Sequence, residues 1–326
     1  MLKRVVADLA VPITDLMLAP LVFVAALLMK IVRRFGIWRM PLSRAIFNRV
    51  GIYPIRDHYY EPMYNYRKYL RHSLRDERSL PGIDLNEDGQ LGWLEQFDYA
   101  AELARIPPDP SAGRLFHYKN PNFAEGDAEC LYSLIRLKKP RRIIEVGSGF
   151  STMMAREAVE QNRREDIAYG CRHICIEPYE MQWLDAENGI EVIRKKVEEI
   201  DASLFRQLEA NDILFIDSSH VIRPQSDVLT EYLEILPILS PGVLVHIHDI
   251  FTPYDYLDHW LIDEVKLWNE QYLLEAFLSC NPQFEIILAL NFLSHKHPDR
   301  LAEKFPMLRG HVEQIEPRSF WIRKVA

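Results

Sequence analysis

The stretch Arg142-Ile-Ile-Glu-Val-Gly-Ser-Gly-Phe-Ser-Thr152 decides how the rest of the chain is interpreted. Residues 143–146 are apolar except for Glu145, a pattern typical of a short buried strand in a parallel sheet. The two glycines that follow lack a Cβ, which lets the backbone turn sharply and approach a ligand. Ser151 or Thr152 is predicted to cap the helix that comes next. A strand, a glycine turn and a helix N-terminus together predict a nucleotide-sized binding site, although a tight turn without a ligand gives the same pattern.

Length and composition are those of an ordinary globular protein. The 326 residues provide room for one large α/β domain with additions, or for two small domains. The apolar content of 48% argues against disorder, and the net charge of −8 gives no reason to expect a nucleic-acid partner. The cysteines are few and irregularly spaced, which suits a reducing compartment. Cys171 and Cys175 flank His173, but Cys175 lies in an apolar run, so buried strand cysteines are favoured over a metal site.

The N-terminus carries an uncharged apolar run, Leu16–Met29, that is interrupted only by Pro20. Extended to residues 13–32, the run reaches bilayer-spanning length but takes in two charges. The basic residues that follow would keep the downstream chain cytoplasmic, on the cytoplasmic face of a membrane if the run is an anchor: Lys30, Arg33, Arg34, Arg39, Arg44 and Arg49. No small-residue cleavage site follows the run, so a cleaved signal peptide is not expected. Membrane association through residues 13–34 and a helix packed on the globular part, or on a second subunit of a homo-oligomer, both stay open.

Three regions are predicted along the chain. Residues 1–49 form the hydrophobic and basic N-terminal helical segment, and residues 50–117 a loop-rich and helical lead-in or lid. The lead-in is rich in Tyr, Pro and turn pairs, as in Asp57–Pro62. Residues 118–326 form the ligand-binding domain that contains the glycine turn.

Short apolar strands alternate with helical segments in the ligand-binding domain. Besides the first strand, strands are predicted near residues 173–177, 190–193, 211–217, 243–249, 284–290 and 319–325. Helices are predicted at residues 90–103, 127–137, 227–236 and 263–278 from the spacing of apolar residues. The alternation predicts an α/β protein with a Rossmann-like, doubly wound, mostly parallel seven-stranded sheet. Its last strand is expected to be antiparallel and to lie at an edge.

Polar residues at the ends of the predicted strands form the candidate site, because ligands of such sheets bind beyond the carboxyl ends of the strands. After the glycine turn these residues are Glu177, Glu198, Asp217, His220, His248 and Asp249. Glu177 ends the second strand, where a carboxylate can accept two hydrogen bonds from a ribose diol. The third glycine of the dinucleotide fingerprint is missing after Gly147 and Gly149, since Ser151 and Thr152 follow Phe150, so a nucleoside without a pyrophosphate is favoured.

Several of these motifs resemble those of class I S-adenosylmethionine-dependent methyltransferases. The resemblance rests on Glu145-x-Gly-x-Gly, Glu177, Asp217 and the Pro241-Gly242 turn before the fifth strand. A subgroup, the macrocin-O-methyltransferase-like and cephalosporin-hydroxylase-like proteins, is similar in Ile216-Asp-Ser-Ser-His220, Asp227, Leu239-Ser-Pro-Gly242 and His248-Asp249. The resemblance covers about residues 118 to 325. Ser218 and Val243 stand where the subgroup usually has glycine, which weakens any inference about the substrate.

The resemblance implies S-adenosylmethionine as the cofactor and assigns a role to each candidate residue. Gly147, Ser148, Gly149 and Ser151 would approach its methionine and ribose part, Glu145 its amino group, Glu177 the ribose hydroxyls, Glu198 the adenine and Asp217 the methionine end. Tyr118, Asn120 and Asn122 would be lid or cofactor contacts, or structural loop residues.

A hydroxyl acceptor must also lose a proton, and histidine is the usual base near neutral pH. His220 and His248, together with Asp249, are therefore the candidate catalytic residues. Some relatives implied by the resemblance hold a divalent ion between carboxylates, for which Asp217 and Asp249 are the candidate ligands and Mg²⁺ the favoured metal. His246, two residues before His248, is expected to face the opposite side of the sheet.

The resulting hypothesis is methyl transfer from S-adenosylmethionine to a hydroxyl of a small-molecule acceptor, such as a sugar, a glycan or a lipid-linked intermediate. Two alternatives stay open. One is a metal-assisted hydroxylase or hydrolase on the same fold. The other is a non-catalytic binding protein with a vestigial cofactor site.

Overall fold

A computed structural model describes residues 2–55, 70–110, 116–186 and 189–326. The chain divides into two compact units, residues 1–71 and residues 72–326. The Asp57–Pro62 stretch of the predicted lead-in lies outside the described residues.

The N-terminal unit contains a long helix and a short one. Helix α1 spans Leu2–Phe35 and includes Pro12 and Pro20. A single 3₁₀ turn at Ile37–Arg39 leads into helix α2, Pro41–Val50, which ends at Gly51 in the left-handed conformation. Within α1, the portion Ala10–Phe35 is long and apolar enough to cross a membrane, and none of its most apolar window is buried.

The second unit is built on a seven-stranded sheet, which confirms the predicted fold class. Its strand order is β3-β2-β1-β4-β5-β7-β6. The strands are β1 Arg142–Val146, β2 Arg172–Ile176, β3 Ile190–Ile193, β4 Ile213–Ile216, β5 Leu244–Ile247, β6 Phe284–Ala289 and β7 Phe320–Lys324. Strands β1 to β5 pair in parallel, and β7 is antiparallel to both of its neighbours.

The predicted edge position of the last strand is wrong. Strand β7 lies between β5 and β6, so β6 forms that edge of the sheet. Phe320, Trp321 and Ile322 are all buried, although successive side chains of a strand point to opposite faces. A strand that is apolar on both faces is stable only where both faces are covered, which the inner position provides.

The helices of this unit cover the two faces of the sheet and its ends. They are α3 Glu87–Glu95, α4 Ala100–Leu103, α5 Asp127–Lys138, α6 Phe150–Glu165, α7 Gln182–Ala186, α8 Asp227–Thr230, α9 Glu270–Leu278, α10 Leu290–Lys296 and α11 Pro298–Lys304. After α8, the chain continues in a π-helical turn, Glu231–Ile235, and a 3₁₀ turn, Leu236–Ile238. The predicted helix at 227–236 is therefore helical throughout but irregular.

Two predicted helices are interrupted. The helix predicted at 90–103 divides into α3 and α4, and between them Phe97 is buried and stacks on Phe305. The helix predicted at 263–278 begins only at Glu270. Val265 has φ of +57°, a conformation that β-branched residues rarely adopt and that no α-helix accommodates.

The glycine turn after β1 sits where the strand order reverses, between β2 on one side and β4 on the other. Gly147 has φ of +83°, and a Cβ built on it would lie 2.2 Å from the carbonyl oxygen of Asp217. Only glycine allows the turn to approach the end of β4 so closely. The turn therefore brings the ends of β1 and β4 together at the edge where the ligand is expected.

Candidate active site

The helix after the glycine turn begins at Phe150, two or three residues earlier than predicted, and its N-cap is Gly149 and not Ser151 or Thr152. The hydroxyl of Thr152 instead accepts a hydrogen bond from the backbone N–H of Gly149 at 3.0 Å. Thr152 thus closes the turn from the third helical position, as the acidic residue of a capping box does.

Beneath the turn, Glu145 lies at the centre of a sealed cluster with Ser151, Thr152, His173 and Cys175. Glu145 is 1% exposed. Its Oε2 atom lies 2.7 Å from the Thr152 hydroxyl, 3.2 Å from His173 Nε2 and 3.5 Å from Cys175 Sγ, while the Ser151 hydroxyl donates to Oε1. Burial and the charge of Glu145 raise the pKa of the Cys175 thiol, which therefore remains a protonated donor. Glu145 and Ser151, both predicted to approach the cofactor, thus hydrogen-bond to each other below the turn.

The cysteines behave as the sequence predicts. Cys171 and Cys175 are buried and not disulfide-bonded. Glu145, His173 and Cys175 bring potential metal ligands within 4.8 Å of one another. The hydrogen bonds from the hydroxyls, the imidazole and the thiol already account for the arrangement, because a buried carboxylate is stabilised by such donors.

A first cavity, of about 270 Å³, opens between the glycine turn and the ends of β2 and β3. Glu177 is 5% exposed, and one of its carboxylate oxygens accepts the N–H of Tyr179 at 2.9 Å. The lining brings together the predicted residues Gly147, Glu177, Glu198 and Asp217, with Tyr179, Val197, Ser218, Ser219 and Asp227. The volume of this cavity and the polarity of its lining suit the nucleoside part of a ligand.

A second cavity, of about 690 Å³, lies on the other side of the β4 end. It is lined by the predicted residues Ser148, Gly149, Ser151, Asp217, His220, His248 and Asp249, and by Asn122, Trp260, Lys266, Trp268 and Arg318 among others. Asp217, Ser218 and Ser219 line both cavities. The two spaces therefore share the wall that follows β4.

His220 lies at the centre of an open cluster with Asp217, Asp249 and Glu270. Its Nε2 is 3.3 Å from Asp217 Oδ1 and 3.4 Å from Asp249 Oδ2, and its Nδ1 is 2.8 Å from Glu270 Oε2. His220 and Asp249 have φ of +59° and +57°, which non-glycine residues adopt only when their surroundings compel it. The fold thus holds both side chains in their positions at the cost of backbone strain.

The charges of the open cluster stabilise one another. Burial alone would lower the pKa of His220, but hydrogen bonds with Asp217 and Glu270 and the charge of Asp249 raise it well above its ordinary value. Burial opposes ionisation of Asp217, yet electrostatic interaction with the neighbouring imidazoles and the hydrogen bond from His220 outweigh it and lower the pKa of Asp217. The cluster therefore contains an imidazolium surrounded by carboxylates at neutral pH.

Three residues of the site were not predicted. Glu270, at the start of α9, orients His220, and Trp268 lies over the same ring with centroids 4.4 Å apart. Arg318, just before β7, donates to Asp249 Oδ1 at 3.0 Å. None of the three belongs to a motif. Only Arg318 could have been suspected from the sequence, because it directly precedes the last predicted strand.

The prediction for His246 is wrong. Its ring lies 5.4 Å from that of His248, on the same side of β5, because residues two apart on a strand share a face. His246 is fully buried against Phe215 and Trp321, and its Nε2 lies 3.0 Å from the Ser319 hydroxyl. Burial and the charge of His248 lower its pKa well below the ordinary value, so it is a neutral core residue.

The loop before α5 contains both structural and cavity-lining residues. Tyr118 is buried, and the Asn120 amide bonds to backbone groups within the loop, including the carbonyl of Phe123 at 2.8 Å. Asn122 lines the larger cavity, and its carbonyl oxygen lies 3.4 Å from His248 Nε2 and 3.2 Å from Arg318 Nη2. Asn122 is therefore a cavity-lining residue, whereas Tyr118 and Asn120 stabilise the loop.

The donor atoms of the open cluster fit a divalent cation. One ligand atom each from Asp217, His220 and Asp249 lies within 4.8 Å of the others. Two carboxylates and an imidazole suit Mg²⁺ or Mn²⁺, and Glu270 supplies the carboxylate that commonly orients a ligating histidine. Binding through His220 Nε2 requires loss of the proton that this atom shares with the two carboxylates.

Comparison with known proteins places the chain in a family. Residues 144–250 match the family model described as a methyltransferase domain. An uncharacterized protein from Archaeoglobus fulgidus is 31% identical over 182 residues, which cover 52% of this chain and 78% of that protein. The chain therefore belongs to the same family as the archaeal protein, and it carries a class I S-adenosylmethionine-dependent methyltransferase domain.

Solved structures with a remote likeness to the chain include three methyltransferases. The O-methyltransferase TomG from Streptomyces achromogenes, in complex with SAM, is 12% identical with a TM-score of 0.38, over 72% of this chain and 90% of that one. An O-methyltransferase from Bacillus cereus is 14% identical with a TM-score of 0.34, over 73% and 91%. MycE from the mycinamycin biosynthetic pathway, solved with Mg, SAH and mycinamycin VI, is 13% identical with a TM-score of 0.33, over 64% and 56%.

Proposed function

We propose that the protein transfers the methyl group of S-adenosylmethionine to a hydroxyl group of a small molecule. The observation that carries this proposal is the wall of Asp217, Ser218 and Ser219 that the two cavities share. A cofactor in the smaller cavity and an acceptor in the larger one would meet at this wall. Methyl transfer is a direct displacement, so alignment of the two molecules is the main contribution that the protein has to make.

In the smaller cavity, Glu177 is the residue that we assign to the ribose hydroxyls. It stands at the end of β2, beside the glycine turn, and its carboxylate lines the cavity. Glu198 borders the same space from the turn after β3, where the adenine would lie. Gly147 allows the backbone to approach the cofactor because it carries no side chain.

In the larger cavity, Asp217, His220 and Asp249 would hold a divalent cation. A Mg²⁺ ion bound there would orient an acceptor hydroxyl and make it more acidic. Glu270 and Trp268 fix the His220 ring, and Arg318 fixes the Asp249 carboxylate, so two of the three ligands are held in place without the cation.

His248 is the residue that we assign to accept the proton from the acceptor. Both nitrogens of His220 face carboxylates, and its Nε2 is a proposed metal ligand, so His220 is not free to accept the proton. His248 lines the same cavity beside Asp249. His248 Nε2 lies 3.4 Å from the carbonyl oxygen of Asn122, which also lines the cavity, whereas its Nδ1 is buried and has no hydrogen-bond partner within the described part of the chain. A histidine base of this kind contributes about 10²–10⁴-fold to the rate.

The lining of the larger cavity favours a polar acceptor such as a sugar or a glycan intermediate. Lys266 lies over the rings of Trp260 and Trp268, at 3.9 Å and 4.5 Å from their centroids. Together with Arg318 and Asp249 they line the cavity with charged groups and aromatic rings. Such a lining suits a molecule with many hydroxyl groups better than an apolar molecule.

Calorimetric titration of the full-length protein with S-adenosylmethionine tests the cofactor site. We expect binding to weaken at least about tenfold in Glu177→Gln, because the loss of a charge-assisted hydrogen bond costs about 1.5–3 kcal/mol. Glu180→Gln, an exposed acid three positions later, is the matched control and should bind like the wild type. Absence of binding to the wild type, with and without Mg²⁺, would reject the proposal.

Turnover is tested by release of S-adenosylhomocysteine with a panel of sugars, glycosides and phenols. We expect release with at least one hydroxylated acceptor, inhibition by a chelator and recovery with Mg²⁺. Full activity in His248→Asn would disprove the assignment of the base. Cofactor binding without turnover of any acceptor would instead favour a binding protein.

A further inference from the structure

The N-terminal unit exposes apolar side chains on a scale that the rest of the described chain does not. Along helix α1, Leu16, Leu21 and Phe23 are 77%, 68% and 65% exposed. Exposed patches of this extent in a water-soluble protein mark a contact with a membrane or another protein.

The length of α1 matches a lipid bilayer. The apolar portion Ala10–Phe35 contains 26 residues, which at 1.5 Å each extend about 39 Å, more than the roughly 30 Å of a hydrocarbon core. Its Thr14 hydroxyl donates to the carbonyl oxygen of Ala10 at 2.8 Å, so this polar group is satisfied within the helix, as lipid requires. Asp15 lies near one end of the portion, where a carboxylate can reach the headgroups.

Helix α2 provides a second, independent observation. Leu42, Ile46 and Val50 follow each other at four-residue intervals, so they lie on one side of the helix, and they are 80%, 60% and 61% exposed. Asn48 lies on the opposite side and is also exposed. Trp38, in the turn between the helices, is 71% exposed and can occupy the headgroup region that tryptophan prefers.

The charge of this region is strongly biased, although the whole chain has a net charge of −8. Residues 30–50 contain basic side chains and not one acidic side chain: Lys30, Arg33, Arg34, Arg39, Arg44 and Arg49. Basic residues beside an apolar helix attract anionic lipid headgroups and hold that end on the cytoplasmic side.

From these observations we infer that α1 crosses a membrane and that α2 lies along its cytoplasmic surface. The apolar side of α2 enters the lipid, and Arg49, three residues after Ile46 and therefore beside that side, contacts anionic headgroups. The inference goes beyond methyl transfer and does not rest on it, because its evidence lies entirely within residues 10–50.

Alkaline carbonate extraction of membranes from cells that express the full-length protein tests the spanning helix. We expect the wild type to stay in the membrane and the Leu21→Asp/Val24→Asp variant to move to the soluble fraction. Leu233→Asp/Val325→Asp, at exposed apolar positions of the other unit, is the control and should stay in the membrane. Release of the wild type, as a monomer or as a soluble oligomer, would overturn the inference.

Fluorescent labelling tests the position of α2. In a Cys280→Ser background, in which the remaining cysteines are buried, an environment-sensitive dye is attached at Leu42→Cys or at Asn48→Cys. In vesicles with anionic lipid we expect the dye at 42 to shift to shorter wavelength and to be quenched by spin-labelled lipid, and the dye at 48 to remain in water. Equal, water-like emission at both positions would show that α2 does not contact lipid.

The exposed thiol of Cys280 in the wild type reports the orientation. A membrane-impermeant maleimide should label it in inside-out vesicles and leave it unlabelled in intact cells. Labelling in intact cells would contradict the cytoplasmic placement.

Discussion

Among the described residues, two groups of three or more potential metal ligands bring a histidine and at least one carboxylate together. They differ in the number of carboxylates and in access to a cavity. In the sealed cluster, one carboxylate, Glu145, receives hydrogen bonds from hydroxyls, an imidazole and a thiol. In the open cluster, one imidazole, His220, faces three carboxylates and borders a cavity of about 690 Å³. A cluster with surplus donors around one charge stabilises the fold, whereas surplus negative charge beside a cavity can bind a cation. Both clusters combine histidine with carboxylate, so the ratio of hydrogen-bond donors to carboxylates, and not the presence of these residue types, is what separates them.

The largest expected effect is on the open cluster. Asp249→Asn should lower kcat by about 10²–10⁴-fold, because it removes a charge from the reacting side of the cavity. The variant should also be less stable, because Arg318 and His220 lose a charged partner. Turnover and thermal melts should be measured beside Asp258→Asn, an exposed control. Equal turnover in both variants would show that the open cluster is structural.

A buried carboxylate outside both clusters gives the next effect. Burial raises the pKa of Glu129 to about 7, against hydrogen bonds from Met307 and Gly126 that lower it. Because the folded pKa exceeds the ordinary value, its contribution to stability is complete below about pH 4.5 and is lost as the pH rises through about 7. As the pH rises between these limits, the free energy of unfolding of the wild type should fall by about 3 kcal/mol more than that of Glu129→Gln. Parallel pH profiles from denaturant unfolding would reveal a mistaken pKa.

In the sealed cluster, Glu145→Gln should destabilise the protein by about 2 kcal/mol, because an amide nitrogen cannot accept the hydrogen bonds that the carboxylate accepts. Cofactor binding should weaken only through this loss of stability. Denaturant unfolding and calorimetry on the same samples separate the two effects. A large loss of affinity with unchanged stability would place Glu145 in contact with the cofactor, as the family resemblance implies.

The smallest effect concerns the thiol of the same cluster. Cys175→Ala should cost about 1 kcal/mol, because it removes one weak donor and a small buried volume. Kinetic constants should stay within twofold of the wild type. Chelator treatment should shift the melting temperatures of the wild type and of Cys175→Ala by the same amount, because the proposed metal ligands lie in the open cluster. A drop in melting temperature on chelation that is absent in Cys175→Ala would show a structural metal there.

Much of the fold was predictable because alternating strands and helices leave a strong local pattern. The glycine turn and the strand ends led to Glu177, Asp217, His220 and Asp249, which line the two cavities at that edge of the sheet. Even the error for His246 was avoidable, since the two-residue period of a strand puts it on the same face as His248.

The remaining errors depend on contacts between distant segments. The position of β7 between β5 and β6 depends on pairing with strands that are far apart in sequence. The break at Val265 reflects a backbone conformation that its side chain disfavours, which tertiary contacts override. Glu270 and Arg318 reach the site from elements that no motif links to it, so sequence patterns alone could not identify them.

The common wall of Asp217, Ser218 and Ser219 has a consequence for inhibitor design. A single compound that joins an adenosine-like part to an acceptor-like part could occupy both spaces, of about 270 and 690 Å³, at once. Joining the parts makes the second binding event intramolecular, which can raise affinity by about 10²–10⁴-fold over either part alone. The length of the shortest effective linker would then measure how far apart donor and acceptor lie across the wall.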